Sequence, residues 1–290
     1  MFIIYINDLD NNVISKLDKF ADDSKLDKSL SSQTDVECLR KDLINMEKWS
    51  NEWQMKFNTD KCTVMHLGRN NAASQYILDD KRLKESESER DLGVIIDKNL
   101  KFSDHCNKVA NSANVTLVMI KRTINSKSKS IITRLYKALV RPQLEYCVQA
   151  WRPYLKKDIE KIERVQRRAT KLISECSKLS YEERLKFTGL PTLEARRNRG
   201  DLIEVFKMLK GFSKVDYKHY FQLVDNSITR GNKYKLAKSR SRLDIRKYFF
   251  SQRVVNEWNK LPDSVVEAES VNSFKNKYDS YVSLQRNNKS

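Results

Sequence analysis

KLDKFADDSKL, residues 16–26, sets two adjacent carboxylates, Asp22 and Asp23, behind an aromatic residue and an alanine, with lysines on either side. Like charges side by side repel, so the pair belongs on the surface or next to a cation. Asp is common in turns because it bonds its own backbone, which makes the pair a candidate polar tip of a hairpin. Adjacent hard carboxylates are equally what a divalent metal ion uses. The surroundings have to separate a plain turn from part of a metal site.

The chain has 290 residues, 39% hydrophobic and 9% aromatic, which fits a globular protein of one or two domains. Six Gly and four Pro predict long regular elements with few tight turns. Lys and Arg number 56 against 38 Asp and Glu, a formal +18 that points to a polyanionic partner, nucleic acid or an acidic membrane surface. The charge is uneven: residues 1–100 carry net −4 and residues 101–290 net +22. Five cysteines lie far apart, with no CxxC and no Cys/His cluster of zinc spacing, which predicts reduced intracellular thiols and no structural metal. MFIIYI, residues 1–6, is too short for a signal h-region or a membrane span. The expectation is a nuclear or cytoplasmic protein with no membrane partner.

Periodicity gives the organisation. FIIYI (2–6) and VISKL (13–17) read as short strands with Asn7, Asp8, Asn11 and Asn12 as a polar break. Thr34 and Glu37 fit a capping box, and Val36, Leu39, Leu43, Met46 and Trp53 mark one face of a long helix, interrupted by Ser50. CTVMHLG (62–68) and RDLGVIID (90–97) read as two further strands, so the front is an α+β layer. Past residue 104 the pattern is helical. Ile131, Ile132, Leu135, Tyr136 and Leu139 fit one helix, and Pro142 suits the start of the next. Ile159, Ile162, Val165, Ala169, Leu172 and Ile173 form an apolar stripe whose opposite side carries Lys157, Lys161, Arg164, Arg168 and Lys171. Ser180 with Glu183 is a second capping box, and that helix ends by Gly189 and Pro191. Leu202, Val205, Phe206 and Leu209 mark one more, closed by Gly211.

From Arg230 to Arg253 the chain has nine basic residues and one acid, interleaved with Tyr234, Tyr248, Phe249 and Phe250. Lysine and arginine neutralise phosphates while aromatic rings stack on unpaired bases. A solvated basic face over a buried Tyr-Phe-Phe helix explains the same composition.

FIIYINDL, KFADDSKL, WSNEWQMKFNTDKCTVMHLG, ERDLGVIID, ALVRPQLEYCVQAWRPYLKKDIEKIERVQRRATKLI and SRLDIRKYFFSQRVVNEWNKLP are six collinear blocks over nearly the whole chain. They resemble the reverse transcriptase of jockey-like non-LTR retrotransposons (LINE elements). The resemblance implies a right-hand polymerase, with part of a palm and then a helical thumb. By match, Asp22 would be the main ligand and Asp23 its partner for Mg²⁺ that activates a primer hydroxyl and stabilises the leaving pyrophosphate. Asn58 and Lys61 match a palm motif whose lysine contacts the triphosphate or protonates the leaving group. Leu92, Gly93 and Val94 resemble the primer grip, where a glycine lets the backbone approach closely. An RNA template and a DNA primer are the implied partners, with Arg240, Arg242, Arg246 and Lys247 adding to the basic helix face.

The chain departs from that pattern in two ways. A complete enzyme brings a further aspartate and a fingers region from upstream of the first block, so the expectation is a truncated polymerase, inactive alone, whose N-terminal part is missing. Asp18 stands on a strand position where similar sequences carry an apolar or neutral residue, on the side of Ile14 and Phe20, so its burial would be costly unless paired. The expected organisation is a partial palm over 1–103, short antiparallel strands with a long helix. A helical thumb-like region follows over 104–211 and a basic aromatic C-terminal region over 212–290. A domesticated helical interaction module without polymerase role is the alternative.

Overall fold

A computed structural model describes residues 5–68, 71–224 and 232–287. The chain divides into two units, Met1–Leu100 and Lys101–Ser290. The described elements are mixed α and β, with short strands confined to the first unit apart from one isolated bridge, Leu223 with Leu236.

In the first unit Ile6–Asp10 is a 3-10 turn, where the sequence pattern predicts the end of a strand; residues 2–4 of that stretch lie outside the described residues. Ile6 and Leu9 are three apart, and in a helix of three residues per turn both face the same cluster, with Met46. The predicted strand over 13–17 begins later, at Lys16. The Ile14 and Ser15 N–H groups are taken by the Asp42 carboxylate, at 2.9 Å each, before any strand pairing starts. β1 (Lys16–Phe20) then pairs antiparallel with β2 (Asp23–Asp27), Leu17 opposite Leu26, and both leucines pack on the Ile6–Leu9–Met46 cluster.

Helix α1 spans Gln33–Glu52. Its cap is Ser32 with Asp35, two residues before the predicted Thr34–Glu37 box. The Asp35 carboxylate accepts from the Ser31 and Ser32 N–H groups at 2.9 Å each, satisfying donors that the helix start leaves open. Val36 and Met46 are buried and Leu39 and Leu43 half-buried, while Trp53 falls past the helix end and is 40% exposed.

The predicted strand over 62–68 reduces to β3 (Thr63–Val64). It pairs parallel with β6 (Lys84–Glu85), and β4 (Ile77–Leu78) pairs with β5 (Lys81–Arg82). The single strand predicted over 90–97 is instead a hairpin of β7 (Ser88–Asp91) and β8 (Val94–Asp97). Leu92 and Gly93 both adopt positive φ, 43° and 88°, as a two-residue hairpin turn of matching twist requires.

In the second unit α2 (Ser103–Thr123) buries His105, Cys106, Ala110, Ala113, Leu117 and Ile120 at three- and four-residue spacing. α3 (Lys129–Leu135) does not stop before Pro142. It passes through a π turn, Tyr136–Val140, directly into α4 (Arg141–Glu145). Pro142 has no N–H and its ring crowds the carbonyl one turn back; the wider turn, in which the Arg141 N–H donates to the Tyr136 carbonyl, absorbs both. α5 (Val148–Trp151), α6 (Lys156–Lys171), α7 (Tyr181–Thr188) and α8 (Leu193–Leu209) follow. The Ser180–Glu183 capping box starts α7 as the sequence indicates, and Gly189, at φ 67°, closes it. A further core gathers Val205 and Phe206 of α8 with Val255, Trp258, Val266 and Phe274, and the Phe206 and Phe274 rings stack at 4.4 Å. Among the described residues no helix is long and apolar enough to cross a membrane.

Candidate functional site

Register fixes the carboxylate pair. Phe20 stands opposite Asp23, so Ala21 and Asp22 form the two-residue turn, with Ala21 at φ 53°. Because Leu17 and Leu26 take the inner face, alternation sends Lys16, Asp18, Phe20, Asp23, Lys25 and Asp27 outward. Asp22 and Asp23 are exposed, and so is Phe20, at 62%. The cost anticipated for Asp18 does not arise, since its face is the open one and Lys16 pairs with it at 2.7 Å. On the inner side Lys19 donates to the Ile6 and Asn7 carbonyls, at 3.2 and 3.0 Å, and to Asp10 at 2.8 Å. That hydrogen bond from Lys19 holds the Asp10 carboxyl below its ordinary value.

An ion pair joins the β1–β2 and β7–β8 hairpins of the first unit. The Lys25 ammonium lies 2.9 Å from the Asp91 carboxylate, which immediately precedes the Leu92–Gly93 turn. Leu92 is half exposed at that tip, whereas Val94 is buried below it. Lys61 is exposed in a turn where the Lys61 and Cys62 N–H groups both donate to the Asn58 carbonyl, at 3.0 and 3.2 Å. Among the described residues no three His, Cys, Asp or Glu side chains gather as a metal site. The Asp22–Asp23 donors themselves suit Mg²⁺, which takes one or two carboxylates and fills its remaining positions with phosphate and water oxygens.

In the second unit α6 presents the basic side read from the sequence. Lys157, Arg164, Arg168 and Lys171 are exposed, while Lys161 is half-buried and donates to the Asn107 side chain. Its inner side is not purely apolar, as Asp158, Glu163, Gln166 and Thr170 are buried among Ile162, Val165 and Ala169. The Tyr136 hydroxyl donates to Gln166 at 2.7 Å, and Gln166 donates to the Tyr181 hydroxyl and the Pro191 carbonyl at 3.0 Å each. Tyr181 donates to Glu163, whose other oxygen accepts the Leu193 N–H at 3.0 Å. Burial pushes both tyrosine hydroxyls up, so they remain donors across the ordinary pH range. The signal was present in the sequence, because Asp158, Ile162, Gln166 and Thr170 repeat every four residues along the buried side.

Comparison with known proteins gives one informative match. The RNA-directed DNA polymerase from mobile element jockey of Drosophila melanogaster is 24% identical over 160 residues. Over that stretch the chain is similar to part of an RNA-directed DNA polymerase. The match takes in 53% of this chain and 18% of that polymerase. No family model and no solved structure matches.

In the second unit the basic aromatic stretch separates into inward and outward parts; Arg230 lies outside the described residues. Arg240, Arg242, Arg246 and Lys247 are exposed. Of the aromatics, Phe250 is buried, Tyr234 packs on the core and bonds Lys210 at 2.9 Å, and Tyr248 stacks on Tyr154 at 4.4 Å. Phe249 remains 44% exposed. Arg253 belongs to the interior: it pairs with the buried Asp201 through two bonds of 2.9 Å and donates to the Gln149 carbonyl at 2.9 Å. Arg152 reaches the same carboxylate at 2.8 Å.

Proposed function

We propose that the chain works in reverse transcription by binding an RNA template and a DNA primer, with the first unit as part of a polymerase palm. Asp22 and Asp23 hold Mg²⁺, which on binding would stabilise the charge that develops on the attacking and leaving oxygens. Leu92 and Gly93 face the primer from their hairpin tip, and Lys61 serves the incoming triphosphate. The exposed side of α6 and the exposed arginines 240, 242 and 246 neutralise phosphates. The observation that carries this reading is the Lys25–Asp91 pair, which fastens the carboxylate hairpin beside the Leu92–Gly93 hairpin although 66 residues separate them. The described residues bring no third carboxylate to Asp22 and Asp23. Binding without polymerisation by the chain alone is therefore the expected behaviour, with Mg²⁺ held in roughly the millimolar range, as suits a site with few protein ligands.

A role as a protein-interaction module draws support from one feature, the exposed Val115, Val118 and Met119 on α2. Binding of the full chain to a primer–template duplex, titrated across salt concentration, separates the two. Changing Arg164, Arg168 and Lys171 together to Gln should flatten the log–log salt slope by roughly 0.9 for each phosphate that is no longer neutralised. Unchanged affinity and slope in the folded triple variant would reduce that side of α6 to a solvated face and overturn the role given to it. Primer extension with Mg²⁺ or Mn²⁺ should be absent; extension abolished by Asp22→Ala would show that the chain completes the metal site itself.

A further inference from the structure

A cavity of about 580 Å³ opens in the second unit between the 3-10 turn Tyr217–His219 and the segment around Phe249. Lys214, His219, Tyr220, Arg246 and Phe249 line it, with Asp216 as its one carboxylate. Its size suits a small ligand. Two of its rings are open to solvent, Phe249 at 44% and Tyr220 at 39% exposure. The neighbouring rings that could have competed are already engaged, Tyr248 with Tyr154 and Phe250 in the core. The Arg246 guanidinium sits 5.6 Å from the Phe249 ring centre, so charge and π face are offered at one spot. Asp216 accepts the Lys218 N–H at 3.0 Å, and its single negative charge is outnumbered by the positive charges of Lys214 and Arg246.

Exposed rings beside cations in a concave site match the chemistry of an unpaired nucleotide, whose base stacks while its phosphate is neutralised. An acidic peptide would use the cations but has no need of two open rings. We propose that this pocket takes a nucleotide of single-stranded nucleic acid, its base against Phe249 and Tyr220 and its phosphate on Arg246 and Lys214. The proposal rests on the reading that the chain binds nucleic acid, and adds a single-strand site separate from the duplex-binding side of α6.

The test uses the full chain and three probes: a short oligothymidylate, the same strand with abasic sugars, and a primer–template duplex. The chain should prefer the base-bearing strand over the abasic one by on the order of tenfold, the scale of one stacked base. Phe249→Ala should erase that preference and leave duplex affinity intact. Phe249→Leu, which keeps apolar volume without an aromatic face, should do the same. Arg246→Gln should weaken both strands alike and lower the single-strand salt slope by roughly 0.7. A wild-type chain that binds duplex with no base preference, or a preference that survives both Phe249 variants, overturns the pocket while leaving the proposed function standing. A chain that binds neither strand nor duplex overturns both.

Discussion

The two units use charge in opposite ways. In the first, charged side chains lie on the surface in exposed pairs such as Lys81–Asp60, Arg82–Glu85 and Lys98–Glu87, each worth little in water, and small apolar clusters do the holding. In the second, Asp158, Glu163, Arg184, Arg197 and Asp201 are all buried, and all but Arg197 make hydrogen bonds there. The net +22 of the rear therefore overstates the cations that face a partner. Arg152 and Arg253 are tied to Asp201, Arg196 to Glu145, and Arg184 to Thr170 and the Leu179 carbonyl. Exposed cations remain on several elements, and those of α6 and near Arg246 are the ones to which a role toward nucleic acid is given, which is why those positions are the informative ones to change.

The sharpest way to break the contrast is Asp201→Ala. It strands Arg253 and Arg152 without their carboxylate and should lower the stability of the second unit by about 3–5 kcal/mol, read as a fall in the urea midpoint of Trp258 fluorescence. A drop below about 1 kcal/mol would mean the buried triad holds little.

His105 comes next. Burial, with the nearby positive Lys108, draws its imidazole down to about 4 against an unfolded value near 6.5. The unfolded chain takes up this proton as pH falls through about 6.5, whereas the folded one resists until about 4, so stability drops across that window by about 3 kcal/mol. His105→Phe, which keeps a ring against Trp151, should flatten the pH dependence between those values. Parallel curves for the two proteins would remove His105 as the cause.

Asp42 is the exception in the first unit, a fully buried carboxylate. Asp42→Ala leaves the Ile14 and Ser15 N–H groups without their acceptor and should cost about 2 kcal/mol, measured by thermal unfolding. The smallest effect has the opposite sign. Arg197 is 2% exposed, and none of its three guanidinium nitrogens has a hydrogen-bond partner. Arg197→Met should therefore gain about 1 kcal/mol in the same assay, and a destabilised variant would show that the guanidinium is compensated by the carboxylates around it.

What could be read from the sequence was whatever is encoded within a few residues. The Asp22–Asp23 tip, the α1 and α6 stripes and the Ser180 cap are local patterns, and each has its counterpart in the fold. Leu92–Gly93 was also local, yet the apolar run Val94–Ile96 beside it hid a turn that the positive φ of both residues exposes. The cap at Ser32 was missed because two overlapping Ser/Thr and acid pairs compete there, and the chain uses the earlier one. Arg253 could not be assigned at all without Asp201, 52 residues away, since an interior arginine and a phosphate-binding one look alike in a basic run. The same holds for Lys25 and Asp91.

The π turn before Pro142 carries a geometric consequence. Ile132, Tyr136, Val140 and Leu144 are all buried and follow one another at a constant stride of four. On a regular helix a stride of four overshoots the full circle by ~40°, so three strides would turn Leu144 ~120° from Ile132, a spread that needs a buried face as broad as the Asp158–Thr170 side of α6. The widened turn slows the rotation just where the drift accumulates, and the four side chains stay in phase. The helix thereby keeps one narrow buried edge ahead of its proline, where an evenly wound one would spread the same four side chains around a third of its circumference.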